Sequence, residues 1–268
     1  LSAWSPDSPP DYMVVPLEFY GDDVPPESLL RYYPCEGQLP EGVESDYYRT
    51  SAFVMRRIHA AGVEWTMGTP EGEPGRMDAR EYPVAVRLTE DFYMGIFEVT
   101  SMQYAHMYAA DAKNYFVGVP SQFKTNEAWQ TLPAEQTRYV YERGVGEGWS
   151  WTVNGHDVDP ASAIGKLRTK SGIDFDLPTE AQWEFAARAG NVEAFYNKTA
   201  GSAYTEADFD EIGWDSSNSG GRPHRVGEKK PNAFGLYDML GNIGERCVDW
   251  WKADLRGLGG DNPIGPLY

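Results

Sequence analysis

The chain has 268 residues, with 23 Lys and Arg against 41 Asp and Glu, giving a formal charge of −18 at pH 7. That balance argues against a nucleic-acid partner and against an anionic membrane surface, because both are recognised through clustered cations. Hydrophobic residues at 41% and aromatics at 14% suffice for a sizeable core, while 28 Gly and 19 Pro place much of the backbone in turns.

No apolar run approaches the roughly 18–20 residues that cross a bilayer, so no membrane insertion is expected. The sequence opens at Leu1 without a charged and apolar leader. With its Lys-poor, Tyr- and Trp-rich composition it reads as a secreted, periplasmic or cell-envelope protein whose signal peptide has been removed. Cys35 and Cys247 permit one disulfide at most.

Residues 1–50 read as an N-terminal extension, an irregular arm broken by Pro25, Pro26, Pro34 and Pro40, with one strand-like run at Tyr12-Met13-Val14-Val15. Such an arm could add a strand to a neighbour's sheet edge, a route to self-assembly. A single domain is expected over 51–268. Strands are expected at 52–58, 63–68, 84–88 and 92–99, where apolar and β-branched residues run between Gly- and charge-rich turns. Thr100 with Gln103, and Thr179 with Gln182, have the spacing of a capping box and predict helices over 102–108 and 180–188, the second stopping at Gly190. Trp183 and Ala187, four apart, are expected to face the core, and a further helix is expected over 161–169. Residues 113–150 and 191–235 are long, Gly- and Tyr-rich and weakly periodic. Few helices, short strands and much irregular chain make the fold class α+β.

Four segments in order then become recognisable. They are Trp65-Thr66-Met67-Gly68, the run from Phe92 to Thr100 (FYMGIFEVT), the run from Asp176 to Gly190 (DLPTEAQWEFAARAG) and the run from Pro231 to Glu245 (PNAFGLYDMLGNIGE). Together they resemble the formylglycine-generating enzyme family, the sulfatase-modifying-factor domain, over roughly residues 51–252. The resemblance implies a compact, loop-rich variant of the C-type-lectin-like fold.

It also implies a calcium site, held by the side chains of Asp238 and Glu245 and by the backbone carbonyls of Gly241 and Ile243. Calcium takes six to eight oxygen ligands, and a Gly-containing turn can present carbonyls between two carboxylates. The bland alternative is that Asp238 caps a turn and Glu245 pairs with Arg246 or a nearby cation. Where the family carries Trp-Glu-Trp, this chain has Gly244-Glu245-Arg246. The family's oxidases hold Cu(I) with two cysteines after a Gly-rich strand, and no such pair occurs before Tyr268. Cys35 and Cys247 read as a structural disulfide or as buried thiols. An iron-dependent sulfoxide synthase shares the domain but needs a His-rich partner domain, and residues 1–50 contain no histidine.

The expected function is therefore a non-catalytic one: an extracellular, calcium-binding domain that binds a protein or glycan ligand or assembles with itself. Trp129, Trp149, Trp151 and Trp214 are candidates to present the aromatic surface, the alternative being that they are core. The other reading is a copper-dependent oxidase that converts a sulfatase cysteine to formylglycine, its catalytic cysteines lying past residue 268.

Overall fold

The computed structural model describes residues 10–17, 30–71, 73, 76, 80–108, 127–135, 137, 139–144, 157–198, 203–250 and 254–265. Seven strands form two sheets. The first contains β1 (Tyr12–Pro16), β2 (Arg31–Tyr33), β3 (Ala52–Ile58) and β6 (Phe92–Gly95) in the order β2-β1-β3-β6, all antiparallel. The second contains β4 (Val63–Met67), β5 (Val84–Leu88) and the two-residue β7 (Gly260–Asp261) in the order β4-β5-β7, the last pair parallel. The helices are α1 (Tyr47–Thr50), α2 (Ser101–Tyr108), α3 (Tyr139–Glu142), α4 (Ala163–Ser171), α5 (Glu180–Arg188) and α6 (Glu206–Ile212). The fold is α+β.

Strand alternation explains how the first sheet sits. Side chains of successive strand residues point to opposite faces. In β1, Tyr12 and Val14 enter one buried cluster and Met13 and Val15 enter another; in β3, Ala52, Val54 and Ile58 join the first and Phe53 the second. Both faces of these two inner strands are therefore covered, which is why their sequences read as unbroken apolar runs. The first cluster is closed by α5 and by Met67, Val86 and Leu88 of the second sheet, the second by Met107 of α2 and by Ala163, Ile164 and Leu167 of α4. Each of these fully buried aliphatic side chains contributes about 1.5–3 kcal/mol of burial free energy.

The described part of the segment expected to be an arm contributes two strands to the first sheet. Its strand-like run is an inner strand, paired with β2 on one side and β3 on the other, so a boundary at residue 50 divides a hydrogen-bonded sheet. With both edges satisfied, β1 has no free edge to lend to a neighbour.

Both capping boxes form. The Thr179 hydroxyl accepts from the Gln182 N–H at 3.1 Å while the Gln182 carbonyl accepts from the Thr179 N–H at 2.9 Å. Thr100 and Gln103 do the same at 3.2 and 3.0 Å, and the Gln103 amide also donates to the carbonyls of Tyr48 and Ala52. Helix α5 ends with Ala189 in the left-handed region at φ 48°. Its buried stripe is Ala181, Phe185 and Ala186; Trp183 and Ala187 are only partly buried, a small rotation from the expected face. Helix α6 lies in an acidic run; Thr205 caps it with Asp208 taking the place of the usual Glu or Gln. No helix among the described residues is long and apolar enough to cross a membrane.

Candidate functional site

The loop after Leu236 is shaped by residues that tolerate unusual backbone. Asp238, Gly241 and Asn242 have φ of 55°, 93° and 59°. Asp and Asn are the non-glycine residues that most often enter this region. At Gly241 nothing larger fits, because a Cβ would lie 1.8 Å from the Trp214 carbonyl oxygen. That close approach lets the Trp214 N–H donate to the Leu240 carbonyl and the Asn242 N–H donate to the Trp214 carbonyl, both at 3.1 Å.

Asp238 is 3% exposed. One carboxylate oxygen accepts from the Gly227 N–H at 2.6 Å, and the other, Oδ1, is buried without a hydrogen-bond partner. Burial pushes the Asp238 carboxyl up to about 6, against the pull of the Gly227 N–H and of Arg49 and Lys229. Glu245 accepts from the Trp183 indole N–H. Its carboxyl faces a cavity, and desolvation there raises it, with Asp238 adding to the rise.

A third acid, Glu98, joins these two from the segment following β6. It is 5% exposed and accepts from the Asn242 side-chain amide at 2.6 Å and from the Ile243 N–H at 3.2 Å. Burial raises its carboxyl well above the usual carboxylate range, and the charges of Glu245 and Asp238 raise it further. The sequence reading missed Glu98. The available signal was an acid flanked by apolar residues in Ile96-Phe97-Glu98-Val99, which had been absorbed into a strand.

The expected calcium ligands therefore lie on one loop whose acids interact electrostatically. All the proposed donors are oxygens. Among the described residues, no group of three or more His, Cys, Asp or Glu side chains is arranged to hold a metal ion, so the side-chain donors are the two acids Asp238 and Glu245. No described residue donates a hydrogen bond to the carbonyl of Gly241 or Ile243. The unpartnered Oδ1 of Asp238 and these two carbonyls are oxygens of the kind a hard cation takes. The alternative pairing of Glu245 with Arg246 does not form. Arg246 instead bonds Glu142 at 2.8 Å and the Thr137 hydroxyl at 2.7 Å, tying the loop to α3.

Beside the loop is a cavity of about 610 Å³. Its lining includes Met13, Phe53 and Met55 of the inner strands, Met107 of α2 and Leu167 of α4, together with Glu98, Trp183, Tyr237, Glu245 and Arg246. Trp183 thus lines the cavity as well as packing against the core.

The other candidates are placed differently. Trp129 is buried. Trp214 has His224 stacked on one face at 3.6 Å and the Lys229 ammonium over its ring at 3.7 Å, so it offers no free aromatic face. Trp149 and Trp151 lie outside the described residues. The cysteines are both free: Cys35 is exposed, and Cys247 is half-buried with its thiol pushed up to about 12 by desolvation and the neighbouring acids Asp249, Glu180 and Glu245. Cu(I) wants paired thiolates, and these two thiols do not supply them.

Comparison with known proteins gives the chain its place. It is 27% identical over 193 residues to chaperone protein LppX of Paenibacillus barcinonensis, covering 60% of this chain and 62% of that protein. It is 25% identical over 232 residues to the formylglycine-generating enzyme of Mus musculus, covering 77% of this chain and 61% of that enzyme. The chain thus spans a little over three-fifths of the length of these curated relatives. Among solved structures, Treponema denticola variable protein 1 superposes with a TM-score of 0.54 at 25% identity, covering 81% of this chain and 80% of that one. The family model of the sulfatase-modifying factor enzyme 1-like domain matches residues 54–262, and the chain belongs to that family.

Proposed function

We propose that this domain is a binding module, not an oxidase, with calcium organising the loop at Asp238, Gly241, Ile243 and Glu245 and with the adjoining cavity as the ligand site. The observation that carries the reading is the cavity itself. At about 610 Å³ it falls in the range of small-molecule sites, and its wall combines apolar side chains with a few polar groups. Cys247 argues on the same side, since desolvation and the neighbouring acids hold its thiol protonated. The acidic, Lys-poor composition supports a secreted or cell-envelope location, which fractionation of the source cells would test.

Calcium would neutralise two of three crowded acids and fix the turn that forms part of the cavity wall; it supplies structure and charge, not a reaction step. If so, removing calcium with a chelator lowers the melting temperature and adding it back restores it, by about 2.7 kcal/mol at a hundredfold excess over Kd. In Asp238→Asn that response should disappear. An unchanged melting temperature in the wild-type protein would remove calcium from the proposal.

The cavity is tested by ligand-detected NMR with a fragment set of mixed charge. Fragments are expected to compete with one another and to lose binding in Met94→Trp, which puts a larger ring into the wall. If no fragment of any charge binds, the module reading fails. The second reading, formylglycine formation on a cysteine peptide, is favoured by the 25% identity to the mouse enzyme over 77% of this chain. Copper-dependent turnover by the 268-residue chain would establish it.

A further inference from the structure

Resting on the cavity as a ligand site, we propose that its occupant is a neutral molecule with an unbranched alkyl chain, laid across one face of the first sheet.

The pairing register fixes which residues lie side by side on that face. Tyr32 of β2 is opposite Met13 of β1, Met13 is opposite Met55 of β3, and Met55 is opposite Gly95 of β6. Directly opposed residues point to the same face, so these four form one row, and all four line the cavity. Three inter-strand steps make the row about 14 Å long. It begins at Tyr32, 43% exposed on the edge strand, and passes at once to Met13, which is 4% exposed. Gly95 at its other end carries no side chain to block it. Met107 of α2 and Ile164 and Leu167 of α4 line the cavity too, and they pack with Met13 and Met55 in the second buried cluster. A floor of this length suits an extended chain better than a compact ring system.

Five of the chain's eight methionines are in the lining: Met13, Met55, Met94, Met107 and Met239. Methionine is unbranched and re-packs easily, so this wall can follow a chain that is itself flexible. The acids and the arginine of the wall are meanwhile engaged within the protein. Asp176 takes a two-point contact from Arg143 at 2.6 and 2.7 Å, Asp174 pairs with Arg168 at 2.7 Å, and Arg246 pairs with Glu142 at 2.8 Å. Both oxygens of Glu98 accept hydrogen bonds, from the Asn242 amide and the Ile243 N–H, and Glu245 accepts from the Trp183 indole. A charged ligand that claimed one of these groups would displace a bond the fold already makes and strand its partner. A neutral chain displaces none of them, and it gains by leaving water.

The test is a calorimetric titration, below micellar concentrations, with hexanol, octanol and decanol, and with adamantanol as a compact alcohol of the same carbon count as decanol. Decylammonium and decanoate add a charge of either sign to the same chain. Burial along the row predicts that affinity rises by about fourfold per added methylene from hexanol to decanol. Decanol should bind at least tenfold more tightly than adamantanol, and more tightly than either charged probe. Met55→Trp, which puts a larger ring in the middle of the row, should end the rise at a shorter chain. The wild-type series is decisive even if that variant folds poorly. No gain from hexanol to decanol, adamantanol equal to decanol, or a charged probe binding more tightly than decanol overturns the alkyl-chain inference. So does binding of none of the probes, and if fragments still bind and compete, the cavity reading stands. Binding of no probe together with no hit in the fragment set sinks both.

Discussion

Asp91 shows how much one side chain can organise in a loop-rich protein. It accepts from the N–H groups of Ala60 and Ala61 at 3.0 and 2.9 Å, and pairs with Arg57 at 2.6 Å, so it fixes the turn leaving β3. Burial alone would raise its carboxyl, but the Ala61 N–H and the Arg57 guanidinium outweigh burial and hold it below the usual carboxylate range. A depressed carboxyl stabilises the fold above its unfolded value, near pH 4, and that contribution is lost as pH falls through the folded one. Asp91→Asn should therefore lower the urea midpoint at pH 7 by an amount equivalent to about 1–3 kcal/mol. The gap between the two proteins should narrow below roughly pH 4. A gap that stays constant down to pH 3 would show that the hydrogen-bond geometry, not the charge, is what matters. At Gly241 the argument is steric: left-handed backbone and a 1.8 Å Cβ clash with Trp214 mean that Gly241→Ala displaces the loop from Asp238 to Glu245. A loss of about 2 kcal/mol or more is expected by denaturant titration.

Among the elements, those whose signals are local were legible in the sequence. Helix α5 begins where its capping box puts it, and Thr179→Ala should cost about 1 kcal/mol, read as a lower melting temperature with the fold intact. Strands β3 and β5 match their apolar runs residue for residue. What escaped notice depends on contacts far apart in sequence. Strand β2 is three residues long and exists because β1 offers an edge; β7 is two residues held beside β5. Helix α6 is short and mostly acidic, so Phe209 and Ile212 alone mark its inner side in the sequence, although Thr205 and Asp208 cap it. The site divides the same way. The loop from Asp238 to Glu245 stood out as a motif, but Glu98 is 140 residues away from Asp238 and enters through packing, which no local pattern encodes. The cavity likewise arises between elements and has no sequence signature of its own.

At the scale of the whole molecule, the first sheet decides what can be removed. Strand β1 pairs with five residues of β3 and three of β2, and its side chains enter both buried clusters. Tyr12, Val14, Met13 and Val15 are all at most 5% exposed. Losing four such residues forfeits several times the 1.5–3 kcal/mol that each contributes, against a net stability of about 5–15 kcal/mol for a typical domain. It also leaves the long inner edge of β3 unpaired, a template for aggregation. A chain starting at residue 51, although it keeps every segment of the family resemblance, is therefore expected to be insoluble or to lack a cooperative thermal transition. Supplying residues 10–50 in trans should recover soluble material if pairing is the missing term. A chain of 51–268 that melts cooperatively at the temperature of the full protein would show that the second sheet and α5 form an independent core, and that β1 merely covers it.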